Sequence, residues 1–163
     1  MADRELTARI HGGVAGIDAA AWDQVAGEDN PFVGHAFLSA MEDSGSVAPG
    51  TGWQAAPITI ADDGGTIHAA LPAYLKSHSR GEYVFDQGWA DAWERAGGRY
   101  YPKIQLAAPF SPVPGPRLLL RDGAMAPGLI AGIETLVERN GLSSAHATFV
   151  APDQVPLFEA NGW

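Results

Sequence analysis

Five prolines surround the most strand-like stretch of this chain, GGRYYPKIQLAAPFSPVPGPRLLL. They are Pro102, Pro109, Pro112, Pro114 and Pro116. A proline has no backbone N–H, so it is confined to edge strands, strand ends or bulges. The apolar segments KIQLAAPF and GPRLLLR therefore cannot pair without interruption. We expect their pairing to splay or end at the prolines, which would leave backbone N–H and C=O groups free to contact a ligand.

The composition is typical of one domain without covalent cross-links. The chain has 163 residues and no cysteine, which excludes disulfides, a thiolate metal site and a cysteine nucleophile. The net charge is −9 and the basic residues are scattered, so this chain alone is not expected to bind nucleic acid. No apolar run approaches the roughly 20 residues of a membrane span, and the N-terminus lacks a signal-peptide core. We therefore expect a cytoplasmic protein without a membrane span.

The hydrophobic pattern predicts an α/β or α+β fold in the order βααβββαβα. The first half begins with a strand over residues 6–17, followed by a helix capped by Asp18 and a second helix that ends at Gly45. A hairpin follows, in which WQAAPITIA and TIHAALPAYLK flank the turn DDGG. We expect one face of this hairpin to carry Ile58, Ile60, Ile67, Ala69 and Leu71.

The second half contains the most regular helix of the chain, APGLIAGIETLVERNG, with Pro127 in its first turn. Before this helix we predict a short strand at residues 83–85, a loop or short helix through Trp89 and Trp93, and the two proline-flanked strands. After it come a strand at SSAHATFV and a last short helix in APDQVPLFEANGW. The predicted architecture is a mixed, mostly antiparallel sheet flanked by helices.

Few motifs of known chemistry are present. None of the five histidines forms a His-x-x-x-His pair or has a carboxylate at ligand spacing, so no metal site is expected and each is interpreted as a surface or hydrogen-bonded sheet residue. No Gly-x-Ser-x-Gly or Walker sequence occurs. The segment LLLRDGAMAPG leads into a helix N-terminus, where anions can bind. Asp122 and Pro127 oppose an anion there, so an ordinary loop is the favoured interpretation.

The segment 86–116 combines aromatic rings with a few charged groups, which is the composition of small-molecule clefts. An aromatic core beside an edge strand is the favoured interpretation for Trp89 and Trp93. A functional interpretation is favoured for Tyr101, Lys103 and Phe110. A single lysine between a proline and an apolar strand has no evident structural role. We expect Lys103 to be accessible to solvent, so that its removal changes stability little.

Three segments that together extend over most of the chain are recognisable. They are GEDNPFVGHAFLSAMEDSGS, LPAYLKSHSRGEYVFDQGWADAWERAGGRYYPKIQLAAPFSPVPGPRLL and ERNGLSSAHATF. Together they resemble the predicted N-acyltransferases allied to the Fem-type peptidoglycan-bridge aminoacyltransferases, a branch of the GNAT superfamily. The resemblance implies two GNAT-like halves in tandem. By this resemblance, residues 1–163 would correspond to the N-terminal half, truncated where the next strand is expected to begin, and the missing C-terminal half is the expected partner. The GNAT pyrophosphate loop is poorly matched, since Arg121 is followed by Ala124 and Ala126 where glycines are usual.

The resemblance implies transfer of an acyl or aminoacyl group to the amine of a small-molecule or peptide acceptor, in cell-wall or peptidoglycan metabolism. The donor would be acyl-CoA as co-substrate or, alternatively, an aminoacyl-tRNA ester. The segment 86–110 would shape the acceptor side of the cleft. By residue type, Asp86 would hold the acceptor ammonium or act as base, Tyr101 would relay a proton and Lys103 would bind an anionic acceptor. Candidate substrate-binding residues are Trp89, Tyr100, Gln105, Phe110 and Ser111.

A second hypothesis assigns no catalysis to this chain. A GNAT-like domain can also serve as a ligand-recognition or assembly module, and the isolated half is expected to be inactive in either case. Separation from the second half predicts an exposed apolar patch near Trp163.

Overall fold

The computed structural model describes residues 5–163. The described chain forms eight strands: β1 (Leu6–Ile10), β2 (Trp53–Ala55), β3 (Ile58–Asp62), β4 (Ile67–Leu71), β5 (Ala73–Lys76), β6 (Lys103–Leu106), β7 (Leu119–Leu120) and β8 (Ala145–Ala147). Its five α-helices are α1 (Ala19–Ala26), α2 (His35–Asp43), α3 (Gln87–Arg95), α4 (Ala126–Arg139) and α5 (Val155–Glu159). The α+β class and the mostly antiparallel pairing are confirmed. Within residues 5–163, no helix combines the length and apolar character needed to cross a membrane.

The strands form two four-stranded sheets instead of one. The first sheet has the order β1-β3-β4-β7 and the second has the order β2-β5-β6-β8. Every pair of neighbouring strands is antiparallel except β6 and β8, which are parallel. The two long strands predicted around DDGG are each divided at a proline, Pro57 or Pro72, and their halves belong to different sheets. A proline cannot donate to the ladder at the point of division, so the sheet separates there.

The two proline-flanked strands also lie in different sheets. β6 ends at Leu106 and pairs with β5 and β8, whereas β7 pairs with β4. β6 and β7 do not pair with each other, so the prediction of a strand pair that splays or ends at the prolines is wrong: the prolines stand between two sheets and interrupt no shared ladder. The proline-rich segment crosses from one sheet to the other. Along the way, Gly115 of this segment forms a parallel bridge with Val150.

Helix α4 packs across both sheets and forms the main core. Its buried side chains, among them Leu129 and Ile133, contact Ile58 of the first sheet and Ile104 of the second. A second core lies on the other face of the first sheet, where Trp22 of α1 is buried. The predicted cap of α1 is confirmed, because the Asp18 carboxylate accepts a hydrogen bond from the N–H of Ala21.

Three local predictions are wrong. The first strand ends at Ile10 and not at residue 17, because residues 14–16 form a 3-10 turn. A register shift after Ile60 pairs Ala61 with Ile67, and this bulge turns Ile67 toward the α1 core, away from the face shared by the other hairpin residues. The strand predicted at residues 83–85 is an exposed loop, in which Tyr83 and Phe85 have φ angles of 60° and 54°.

The side chain of Gln154 takes the place of a neighbouring strand beside β7. Its Oε1 accepts hydrogen bonds from the N–H groups of Arg117 and Leu118 at 2.8 and 3.0 Å, and its Nε2 donates to the Leu118 carbonyl. Gln154 and both of its partners are buried. The backbone of the two residues directly before β7 is therefore held in place by one amide side chain.

We predict that Gln154→Ala destabilises the protein by at least about 2 kcal/mol, since an unpaired buried backbone group typically costs about 1–3 kcal/mol. Urea unfolding measures the change. The exposed neighbour Asp153 supplies the matched control, and Asp153→Ala should change stability by less than about 0.5 kcal/mol. Equal stability of the two variants would contradict the role assigned to Gln154.

Candidate functional site

The second sheet has one apolar face and one polar face. Ile104 of β6 points into the core beneath α4. Because side chains alternate along a strand, Lys103 and Gln105 lie on the opposite face. Across the sheet, Lys103 pairs with Lys76 of β5 and Gln105 pairs with His146 of β8. The polar face therefore concentrates ionisable groups from three strands.

Lys103 joins this face to the loop of residues 77–86. Its Nζ donates to Ser79 Oγ at 3.0 Å, to Glu82 Oε2 at 2.9 Å and to Asp86 Oδ2 at 2.9 Å. The lysine side chain is fully buried, so the expectation that it is accessible to solvent is wrong. An ammonium has three N–H donors, and all three are used, which leaves no donor for an anionic acceptor. We call Lys76, Ser79, Glu82, Asp86 and Lys103 the lysine–carboxylate cluster.

Lys76 is the second buried cation of the cluster. Its Nζ lies 3.6 Å from the centroid of the Trp53 ring and 3.8 Å from Glu82 Oε1. Burial lowers the pKa of Lys76 to about 7, although Glu82 opposes this shift. Burial also raises the pKa of Glu82, against the effect of Lys103. The shifts in Lys76 and Glu82 both favour the uncharged forms.

Asp86 is held in its charged form. Burial by itself would raise its pKa, but Ser79, Lys103 and Tyr100 outweigh burial and lower the pKa to about 2. The hydroxyl of Tyr100 donates to Asp86 Oδ2 at 2.8 Å. Burial, followed by this hydrogen bond, raises the pKa of Tyr100. Tyr100 is therefore a neutral phenol that donates to a carboxylate.

Tyr100 also forms one wall of a surface pocket, which we call the aromatic pocket. The pocket has a volume of about 230 Å³ and lies between α3 and β8. The lining residues are Trp89, Trp93, Arg99, Tyr100, Ser143, Ser144 and His146.

His146 is a pocket residue that the sequence interpretation treated as an ordinary sheet histidine. Its Nε2 is hydrogen-bonded to Ser144 Oγ at 2.9 Å, and its ring meets the Tyr100 ring edge-on with centroids 6.0 Å apart. Burial and the charge of Lys103 lower the pKa of His146, and Asp86 opposes them. No local motif marks His146, because only the parallel pairing of β6 and β8 brings it beside Gln105.

A protein-family comparison gives this arrangement a context. The model of the FemAB-like family, described as peptidoglycan biosynthesis/recognition, matches residues 13–163. The chain belongs to the FemAB-like family. No curated protein and no solved structure gives a significant match. The Fem-type resemblance inferred from sequence is thus confirmed, and it ties this FemAB-like chain to peptidoglycan, whereas its place in a tandem protein stays a prediction.

The predicted site residues of the FemAB-like chain divide into two groups. Asp86, Tyr100 and Lys103 are joined by hydrogen bonds, and Tyr101 joins them because its hydroxyl lies 2.7 Å from Ser79 Oγ. Trp89 belongs to the aromatic pocket and is 79% exposed, which excludes the core role favoured for it. Trp93 is 57% exposed and is likewise not a core residue.

Phe110 and Ser111 lie at the other edge of the sheet. The ring of Phe110 packs on Trp53 of β2 with centroids 4.9 Å apart, and the Ser111 hydroxyl donates to the Pro109 carbonyl. Strand β2 is separated from β8 by β5 and β6, so the two edges are roughly 14 Å apart at about 4.8 Å per strand. The structure therefore does not bring these two residues to the aromatic pocket.

Three buried oxygen atoms of the described residues have no hydrogen-bond partner: Glu82 Oε1, Asp86 Oδ1 and Gln105 Oε1. The amide nitrogen of Gln105 donates to Thr148 Oγ1 at 2.8 Å, so its orientation leaves the oxygen unpaired. All three atoms are acceptors, and buried acceptors are stabilised by donors such as water or an ammonium group.

The remaining chemical alternatives have little support in the described residues. Across residues 5–163, no group of three or more His, Asp or Glu side chains is arranged to hold a metal ion. In the 3-10 turn of residues 123–125, which leads into α4, Asp122 accepts a hydrogen bond from the N–H of Ala124 at 2.9 Å. One of the N–H groups that a phosphate would need is therefore already bonded to a carboxylate.

We predict that Lys103→Met lowers the free energy of unfolding by about 3–5 kcal/mol, because it leaves Glu82 and Asp86 buried without their cation. Urea unfolding at pH 7 measures the change. Arg95→Met on the exposed surface of α3 is the control and should have an effect below about 0.5 kcal/mol. A loss under about 1 kcal/mol for Lys103→Met would contradict the buried ion pairs.

We predict that stability increases as the pH rises above 7. In the folded state Lys76 loses its proton near pH 7, whereas in the unfolded chain it keeps the proton up to about pH 10.4. Between these values the unfolded state binds more protons, so a higher pH favours folding. Thermal unfolding between pH 7 and pH 9 tests this, and Lys76→Met should remove the increase. An unchanged slope in the variant would show that another group causes it.

Proposed function

We propose that this FemAB-like chain forms the acceptor-binding part of a GNAT-type N-acyltransferase that acts on an amine of a peptidoglycan-related acceptor. The proposal rests on one observation above all: Tyr100 is at once a wall of the aromatic pocket and a hydrogen-bond donor to the charged Asp86. The family match supplies the link to peptidoglycan. The transfer chemistry goes beyond that match.

The aromatic pocket has the properties of an ammonium site. The exposed side chains of Trp89 and Trp93 line the pocket, and indole rings attract cations. Asp86 places a negative charge directly behind Tyr100, and the chain as a whole carries a net charge of −9. At about 230 Å³ the pocket is smaller than the roughly 300–1,000 Å³ typical of whole-ligand sites. It therefore suits the amine-bearing end of an acceptor.

The lysine–carboxylate cluster holds this site in position. Lys103 fixes Asp86 from β6, and Asp86 in turn fixes the hydroxyl of Tyr100. The Asp86 carbonyl also accepts hydrogen bonds from the N–H groups of Trp89 and Ala90 in the first turn of α3. One buried cation thus orients both the charged residue and the aromatic wall. Such preorganisation contributes to transfer reactions because the acceptor is bound in a reactive orientation.

Acyl-CoA is the proposed donor, with an aminoacyl-tRNA ester as the alternative. The scattered basic residues of this chain favour the thioester, because a tRNA needs clustered cations. The GNAT-like C-terminal half expected from the resemblance is the proposed partner for donor binding. A recognition module without catalysis is the second candidate, favoured by the exposure of Trp89 and Trp93, since binding alone would account for them.

Binding and transfer assays separate these candidates. Acetyl-CoA and a peptidoglycan stem peptide with a free side-chain amine are titrated separately into this chain and into any longer protein that contains it. Acetylated peptide is then measured by mass spectrometry. Binding with transfer supports the enzyme, and binding without transfer supports the recognition module. No binding of the stem peptide to either protein would overturn both.

We predict that the double substitution Trp89→Ala/Trp93→Ala weakens binding of the amine peptide by at least about 10-fold, since cation–π contacts contribute about 0.5–2 kcal/mol each. Isothermal titration calorimetry measures the affinity independently of tryptophan fluorescence. Phe85→Ala removes an aromatic side chain that is 82% exposed and lies outside the pocket, and it should leave the affinity unchanged. Equal weakening by both variants would contradict a specific site.

A further inference from the structure

A second surface pocket adjoins the aromatic pocket along β8. It has a volume of about 280 Å³, and its walls are mainly apolar, with Val150, Phe158 and Trp163 among them. We call it the apolar pocket. Of the residues that line the two pockets, His146 is common to both. Any group that bridges the pockets must therefore pass this histidine.

The free edge of β8 lies at the same place. β8 is the last strand of its sheet and pairs only with β6 among the described residues. The carbonyl of Ser144 and the N–H of Thr148 are bonded to β6. In a parallel ladder the amides alternate in direction, so those of Ala145 and Ala147 point away from β6. Two backbone N–H groups thus flank His146 on the open side.

We propose that His146 is a catalytic residue of the transfer reaction, in which it accepts a proton from the acceptor ammonium. This inference rests on the proposed function. The acceptor amine lies in the aromatic pocket, and the acyl carbon of a thioester donor lies at the free edge of β8, with its acyl chain toward the apolar pocket. Only one of the two N–H groups, that of Ala145 or that of Ala147, then faces the carbonyl oxygen, on which negative charge develops, because residues two apart on a strand are separated by about 6.6 Å.

The imidazole takes one proton from R–NH₃⁺ and leaves the neutral amine R–NH₂. The nitrogen lone pair attacks the carbonyl carbon, the C–N bond forms, and the C–S bond breaks with its electron pair on sulfur. The thiolate takes the second proton from nitrogen, and the imidazolium releases its proton to solvent. The products are an amide, a thiol and one proton.

The other ionisable groups of the site are less suited to this task. Asp86, with a pKa of about 2, is too weak a base near neutral pH and instead supplies charge. Tyr100 keeps its proton because its pKa is raised. Burial and Lys103 lower the pKa of His146, so its neutral form, which is the one able to accept a proton, predominates at pH 7. A base must also lie within reach of the reacting proton, and His146 lines the pocket itself.

The charges around His146 determine its response to pH. Lys103 approaches from β6 and lowers its pKa, whereas Asp86 approaches from the start of α3 and raises it. Arg99 lines the aromatic pocket, and Glu159 of α5 lines the apolar pocket. An ammonium bound in the aromatic pocket adds a positive charge and lowers the pKa of His146 further.

NMR titration of the histidine rings tests the proposal without a transfer assay. The His146 signals are assigned by comparison with His146→Gln. We expect the ring to titrate below pH 6.5 and to shift lower when the amine stem peptide is added. The same peptide with its side-chain amine acetylated carries no ammonium and should produce no such shift. Peptide that binds while the His146 titration stays unchanged would overturn this inference and leave the proposed function intact.

Kinetics provide the second test, in whichever protein catalyses transfer to the amine peptide. We expect His146→Gln to reduce the transfer rate by about 100-fold or more and to remove the rise in rate that accompanies deprotonation of His146. The Kd for the peptide should stay within about 3-fold. His68→Gln in β4, whose ring bonds Asp62 in the other sheet, is the control and should keep full activity. Full activity of His146→Gln would overturn the inference, whereas a peptide that does not bind the wild-type chain would overturn the proposed function.

Discussion

The hydrogen bonds of one buried ammonium, that of Lys103, organise the part of this protein that contains the aromatic pocket. The chain contains two lysines, Lys76 and Lys103, and both are fully buried against the same loop. Lys103 attaches Ser79, Glu82 and Asp86 to the second sheet. Residues 77–86 have little regular structure of their own, so these bonds decide where the loop lies. Helix α3 begins directly after this loop, so the position of α3 and of the aromatic pocket depends on the same hydrogen bonds.

Burial of four ionisable groups is unfavourable unless they are paired, and an apolar cluster of the same volume would stabilise the fold as well or better. The buried ion pairs instead fix the position of the loop on the sheet. The second sheet places its apolar side chains beneath α4 and its charged side chains beneath the loop. Although burial raises the pKa of Asp86, the bonds to Ser79, Lys103 and Tyr100 lower it to about 2, so the carboxylate is charged at neutral pH. The charge of Asp86, the loop of residues 77–86 and the Tyr100 wall of the pocket are therefore connected by hydrogen bonds in this FemAB-like chain.

The prolines act differently from the way their spacing first indicates. Pro57 and Pro72 divide the sheet, whereas the proline-rich segment 109–116 crosses between the two halves. Arg117 is buried at the end of that crossing and donates to the carbonyls of Val113, Pro116 and Thr148. These carbonyls lack strand neighbours, so the guanidinium satisfies them. The open strand edge that could contact a ligand belongs to β8, well away from the prolines in sequence.

Residue type alone indicated Asp86, Tyr101 and Lys103 as candidates, although the contacts that bring them together are long-range. Local interactions within the sequence determined most of the element types, the cap at Asp18 and the regular helix α4. These features depend on neighbours a few residues apart, which is why a linear pattern predicts them. Tertiary structure alone decided that Lys103 is buried, that Ile67 changes faces, and that His146 enters the pocket wall. Each of these outcomes depends on pairing between distant segments, such as β6 with β8. Strand register and desolvation are set by those long-range contacts, and a single sequence records them only indirectly.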